Sequence, residues 1–206
     1  MQSIEKIKSL SSKKLTPITG KHRQIISDLE DLLEQGVPKM TMSQIASTLK
    51  ISLRTLYEIA PSKDQLIVMT MDSILKKHGK HALDSISDIK SPIEKLEKYL
   101  KIVNQAVGPK FPLIQKDIGK FDRLKPMAEQ HASFITNMTE NLLNQAIDKK
   151  EIIKIDTKAF AILLGGIGKE FIKEKNKLID STPEESANSI TQIILNGIKV
   201  RNYHER

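Results

Sequence analysis

Between Thr41 and Lys63 the chain reads TMSQIASTLKISLRTLYEIAPSK, and few folds can accommodate that stretch. Ile45, Ala46 and Leu49 set an apolar stripe at i, i+1 and i+4, the spacing of one helical face. Thr41 or Ser43 can cap the start by offering a side-chain oxygen to free backbone N–H groups. Ile51 fills the inside of a tight turn, and Ser52 caps a second helix of barely two turns, Leu53 to about Ile59, with Leu56 pointing inward. Pro61 closes that helix, because the residue before a proline is pushed away from helical geometry. Leu53, Arg54, Thr55 and Tyr57 are left outside, a polar and cationic set beyond what a core needs. Two short helices joined this way, the second free to enter a major groove, make a helix-turn-helix. An ordinary helical hairpin with a solvated outer face is the plainer alternative.

The pattern is longer than a generic hairpin. Thr41, Ile45-Ala46, Ile51-Ser52, Thr55-Leu56-Tyr57, Ser62-Lys63 and Leu66 fall at the spacing of the TetR/AcrR family of transcriptional regulators, which this chain resembles. Leu32-Leu33, Glu34 and Gly36 are similar to that family's lead-in helix. The resemblance implies an all-α chain: an N-terminal three-helix helix-turn-helix DNA-binding domain, then a C-terminal helical ligand-binding and dimerisation domain.

Composition fits that expectation without demanding it. With 206 residues, 28% of them charged and 39% hydrophobic, the chain can bury a sizeable core. Aromatics are only 4%, so Ile and Leu must supply most of that core. A net charge of +8 favours an anionic partner. The absence of cysteine excludes disulfides, thiolate catalysis and Cys-based metal sites. No apolar run approaches ~18 residues and no secretory signal is visible, so the expected compartment is cytoplasmic with no membrane contact.

In chain order, residues 1–16 form a basic arm that is either a frayed tail or a strap along DNA phosphates or the minor groove. The helix-turn-helix domain spans 17–62. Its first helix, Pro17 to Gln35, carries Ile25, Ile26, Leu29, Leu32 and Leu33 on one face, turns Asp28, Glu30, Asp31 and Glu34 mostly outward, and ends at Gly36. The regulatory domain spans 63–206 and opens with a long helix to about Ser85, capped by Ser62 and weakened at Gly79. Ser91-Pro92 starts the next helix. Residues 111–121 read as a short helix or a loop. A long helix follows from Lys125-Pro126, with Met127, Phe134, Ile135, Met138, Leu142, Ala146 and Ile147 on one face. Asp156 caps a helix to about 177, lined by Phe160, Leu163, Leu164, Ile167, Phe171 and Ile172. Thr182-Pro183-Glu184-Glu185 is a capping box that opens the last helix, which repeats Ile190, Ile193, Ile194, Gly197 and Ile198. Gly165, Gly166 and Gly168 are either a kink, an internal contact, or a place where another helix comes close.

By resemblance, the helices at about 156–177 and 182–200 form a homodimer interface, and the partner is a palindromic double-stranded DNA operator. Thr41 and Ser43 would hold phosphates, and Ser52 at the start of the reading helix is a further DNA-binding candidate. Arg54 is the best base reader, since its fork suits guanine O6 and N7. Leu53 and Thr55 would touch a thymine methyl or a phosphate, while Tyr57 and Lys63 match the family's backbone-contacting pair. Three residues depart from the pattern. Lys50 stands where the family usually has glycine, Glu58 would repel phosphate if it faced DNA, and Ala60 replaces a usual aromatic. A small apolar or amphipathic effector would enter among the later helices, with Phe111, Met127, His131, Phe134 and Met138 as candidate contacts and plain core packing as their alternative. It would shift the 63–85 helix and change the spacing of the two reading helices. No cofactor, metal site or catalytic set is expected. His78 and His81 lack a nearby carboxylate, and no nucleophile-base pairing stands out.

The expected function is therefore a ligand-responsive regulator, a repressor first. Two alternatives are an architectural or division-linked DNA-binding protein of the same fold, and a helical ligand- or protein-binding dimer that has lost DNA affinity.

Overall fold

The computed structural model describes residues 20–34, 39–105, 124–173 and 181–200. The arm 1–16, the segment with Phe111, the Gly36 helix end and the last residues of the 156–177 helix lie outside them. The described residues form α1 (Gly20–Glu34), α2 (Met42–Thr48), α3 (Leu53–Ile59), α4 (Lys63–Asp84), α5 (Pro92–Gln105), α6 (Lys125–Asp148), α7 (Thr157–Lys173) and α8 (Pro183–Ile198). Among them β structure is limited to one isolated bridge between Ile152 and Lys199. The all-α expectation holds. Two compact units divide between Ile74 and Leu75, a point inside α4.

The first unit has its own core. Ile25 and Leu29 of α1 meet Met42, Ile45 and Ala46 of α2, Leu56 and Ile59 of α3, and Leu66 of α4. One acidic residue of α1 departs from the expected outward face. Glu30 is buried, because it follows Ile26 by four residues and precedes Leu33 by three, which places it beside the apolar stripe.

In the second unit α6 packs against α5 and α7, and α8 lies on α5 and α7. Leu96, Tyr99 and Leu100 from α5 meet Leu142, Leu143 and Ala146 from α6, with Ala161 and Leu164 from α7 and Ala187 and Leu195 from α8. Burial pushes the Tyr99 phenol up to about 12, so its hydroxyl stays protonated. Three expected apolar faces are only partly inward. Phe134 is exposed on α6, Leu163 on α7, and Ile190 and Ile193 on α8. On α7 Ala161 takes the inner place, and on α8 Ala187, Thr191 and Leu195 do. These helices are apolar on more than one side, and periodicity alone does not say which stripe turns inward.

Long-range polar contacts tie the second unit together. The Glu151 carboxylate, just past α6, accepts from Ile93 N–H and from the Ser91 hydroxyl, each at 2.9 Å, and so caps α5 from a distant part of the chain. Asn104 is buried on α5, and its amide donates to Asn188 Oδ1 at 3.0 Å and to Thr191 Oγ1 at 3.4 Å on α8. Gly165 settles one of the glycine alternatives. A Cβ there would lie 3.3 Å from Thr136 Oγ1 and 3.6 Å from Ile135 Cγ2, so this glycine serves the contact between α7 and α6. A Cβ at Gly166 would meet nothing within 4 Å.

The capping box of α8 forms as expected. Thr182 Oγ1 accepts from Glu185 N–H at 3.2 Å, and Glu185 Oε2 accepts from Thr182 N–H at 2.8 Å. The backbone and side-chain hydrogen bonds from Thr182 hold the Glu185 carboxyl below its ordinary value of 4.5. A depressed carboxyl stabilises the fold fully above its unfolded value, and that contribution fades as pH falls through the folded one. Glu185→Gln should therefore narrow the difference between neutral and acidic stability below pH 4.5, measured by urea unfolding. An unchanged acid limb would contradict this.

Candidate nucleic-acid interface

A seven-residue helix cannot stand alone, because isolated helices shorter than roughly 12–15 residues are marginal in water. α3 is therefore built by its surroundings. Ser52 Oγ accepts from Thr55 N–H at 3.0 Å and shares a 2.7 Å hydrogen bond with the Thr55 hydroxyl. Leu56 and Ala60 are completely buried, and Ala60 has left helical geometry at φ −145° and ψ 128° before Pro61. Ala60 thus packs fully without the larger aromatic side chain the family pattern suggests. On the other side of the turn, Thr41 Oγ1 accepts from Gln44 N–H at 3.3 Å and Gln44 Oε1 accepts from Thr41 N–H at 2.8 Å. This capping box was not anticipated from the sequence, although Thr41 followed by Gln44 carries its signature.

The turn itself is closed by backbone bonds. Ile51 N–H donates to Ala46 O at 2.9 Å and Lys50 N–H to Ser47 O at 3.1 Å, wrapping the end of α2 around one left-handed residue. That residue is Lys50, at φ 53°. The geometry expected of glycine is kept here by a lysine. The end of α6 repeats the device with Lys150 at φ 56°, where Glu151 N–H reaches Ala146 O at 2.9 Å.

With its inner face fixed, α3 turns a defined set of side chains outward. The Arg54 side chain is 89% exposed, and Leu53 and Tyr57 are 40% and 48% exposed. Ser52 is exposed and Thr55 half-buried; Thr41 and Ser43 are exposed at the start of α2. Lys63, the first residue of α4, is half-buried behind Ser62, whose hydroxyl accepts from Gln65 N–H at 3.2 Å. The eight residues expected at a DNA surface thus sit around three helix starts and one short helix face. Arg54 and Tyr57 offer a guanidinium and a phenol, the groups suited to base edges and phosphates. Glu58, expected only as a repulsive neighbour, accepts from Arg54 Nε at 3.2 Å. Its i, i+4 spacing from Arg54 was the available signal.

Four of the candidate effector residues, Met127, His131, Phe134 and Met138, follow one stripe along α6. Met127, His131 and Met138 are half-buried, and Met138 packs against the core of the second unit. Phe134 is exposed, and Phe111 lies outside the described residues. A groove of about 840 Å³ instead runs between α5 and α8, lined by Glu94, Glu97, Lys98, Lys101, Asn188 and Gln192 among others, and by none of the four described candidates. Among the described residues no group of three or more His, Asp or Glu is placed to hold a metal ion, and no helix is long and apolar enough to cross a membrane.

The fold is that of the TetR-family transcriptional regulators, as three solved structures illustrate. A transcriptional regulator from Cytophaga hutchinsonii is 19% identical, with 88% of this chain and 100% of that one covered, at a TM-score of 0.68. A TetR-family regulator from Agrobacterium tumefaciens is 14% identical, covering 85% and 96%, at 0.65. AibR in complex with isovaleryl coenzyme A and operator DNA is 18% identical, covering 83% and 96%, at 0.60. No protein-family model matches the sequence. No curated protein matches it.

Because Lys50 occupies a left-handed position that glycine adopts without strain, Lys50→Gly should stabilise the protein by about 0.5–1 kcal/mol in urea unfolding. Destabilisation would contradict the turn described.

Proposed function

We propose that the protein is a homodimeric, effector-responsive transcriptional regulator, in the first instance a repressor, that reads a palindromic operator with α3. The observation that carries this reading is the division of α3 into a fully buried side at Leu56 and an outer side bearing Leu53, Arg54 and Tyr57. Arg54 reads a guanine through its fork. Leu53 and Thr55 contact a thymine methyl or a phosphate, and Thr41, Ser43, Ser52, Tyr57 and Lys63 position the protein on the backbone. The formal charge of +8 supports an anionic partner. The occurrence of the same fold in AibR bound to operator DNA and isovaleryl coenzyme A supports both a DNA partner and a small-molecule effector.

Two copies are needed because one short helix gives little affinity. Two-fold symmetry would set the pair about 34–36 Å apart, one turn of DNA. The pairing surface we assign is the outer side of α7 and α8. These two packed helices leave Ile162 59% and Ile193 68% exposed, with Leu163 and Ile190 also outside. Apolar side chains grouped in this way on two packed helices fit a partner better than solvent. The effector acts in the second unit, and α4 carries its binding energy towards the reading helices.

Selection of bound sequences from random duplexes tests the reading. A defined palindrome supports the regulator, featureless salt-sensitive binding supports an architectural protein, and no binding favours a helical dimer without DNA affinity. Arg54→Ala should cost ~1–3 kcal/mol at one operator position, whereas Lys63→Ala should weaken every duplex alike. Equal loss on all duplexes from Arg54→Ala would remove it as a reader. Ile193→Glu should convert a dimer to a monomer in sedimentation equilibrium, and an unaffected dimer would move the interface elsewhere.

A further inference from the structure

Glu58 is an unexpected residue to find on a surface that is to meet phosphates. It lies one turn after Arg54 on α3, is partly exposed, and accepts from Arg54 Nε at 3.2 Å. Nothing in the packing requires it, since the inward positions of this helix are taken by Leu56 and Ile59. An exposed ion pair of this kind contributes little to stability. Its consequence is chemical. By engaging Nε, the carboxylate leaves the two terminal nitrogens of the guanidinium as the free edge. That edge is the one able to meet guanine O6 and N7 head-on.

We infer that Glu58 is the positioning and specificity-determining residue of α3: it aims the terminal fork of Arg54 at a guanine and keeps that fork off the phosphates. The inference rests on the DNA-reading role proposed above. An arginine alone on such a helix swings freely between a base edge and the nearest phosphate, and the phosphate contact carries no sequence information. A carboxylate beside it makes the phosphate contact the poorer choice, because the phosphate must approach a second anion. A guanine edge carries no such charge. Glu58 therefore weakens binding to every duplex and weakens it least where the correct guanine is present, so that discrimination rises as general affinity falls. Its second carboxylate oxygen, Oε2, is an acceptor of the type that cytosine N4 can serve on a neighbouring base pair.

The test compares the full-length protein with Glu58→Ala and Glu58→Gln, on the selected operator and on a random duplex, over a series of salt concentrations. Circular dichroism and thermal melting verify that each variant is folded. Glu58→Ala should bind the random duplex more tightly, steepen its logarithmic salt dependence by up to ~1, and lower the operator-to-random ratio on the order of tenfold. Glu58→Gln keeps an oxygen acceptor for Nε but not the charge. It should retain the base preference at the Arg54 position while still gaining affinity for random DNA. Should Glu58→Ala prove unstable, Glu58→Gln decides the matter on the salt dependence alone. An unchanged ratio and salt slope in the folded variants, with the wild type reading a defined sequence, overturns the role of Glu58 only. A wild type with no preferred sequence overturns the DNA reading, and this inference with it.

Discussion

The outer face of α3 can be presented to a partner only because Leu56 pins the inner one. A helix of seven residues has too few internal hydrogen bonds to persist by itself. It is held by Leu56 and Ile59 buried against Ile45 and Ala46, by the Ser52 cap at one end, and by the extended Ala60 before Pro61 at the other. The turn before it adds the constraint of direction. Ile51 N–H closes onto Ala46 O, so the chain leaves α2 along one path and enters α3 with Ser52 already in capping position. Loss of that anchoring would leave Arg54 and Tyr57 on a segment without fixed geometry.

Much of this local logic was readable from the residues, because it is local. Caps depend on two residues three apart, which is why Ser52, Ser62, Asp156 and Thr182 are found where the sequence suggests. The exposure of Arg54 and Tyr57 follows from the same helical period that buries Leu56. What the sequence concealed is mostly non-local. Glu151 caps α5 from the far end of α6, and Asn104 pairs with Asn188 and Thr191, contacts that no spacing rule connects. Of the two left-handed lysines, Lys50 stands where the family pattern has glycine, whereas Lys150 carries no such signal. Glycine usually marks such a position, and here the flanking hydrogen bonds hold a residue that tolerates it less well.

The helices of the second unit were legible in position but not in orientation. α7 and α8 carry apolar residues on both sides, so their sequences offered two equivalent stripes. Ala161 and Leu164 on one helix, and Ala187 and Leu195 on the other, take the core. Ile162, Leu163, Ile190 and Ile193 are left outside. Glu30 shows the converse, a charged residue carried inward by its place between Ile26 and Leu33. The groove between α5 and α8 was equally unforeseen, since its walls mix Ile89, Ile193 and Leu195 with Glu94, Lys98, Asn188 and Gln192, on elements far apart in the sequence.

The proposed contact of Arg54, on the outer face of α3, with a guanine edge in the major groove can be tested at the base itself. Methylation of guanine N7 blocks that edge and leaves phosphates and the minor groove untouched. Interference measured on the selected duplex should show one guanine in each half-site whose N7-methylation prevents binding by the wild type and has no further effect on Arg54→Ala. Binding indifferent to N7-methylation at every guanine would contradict the account.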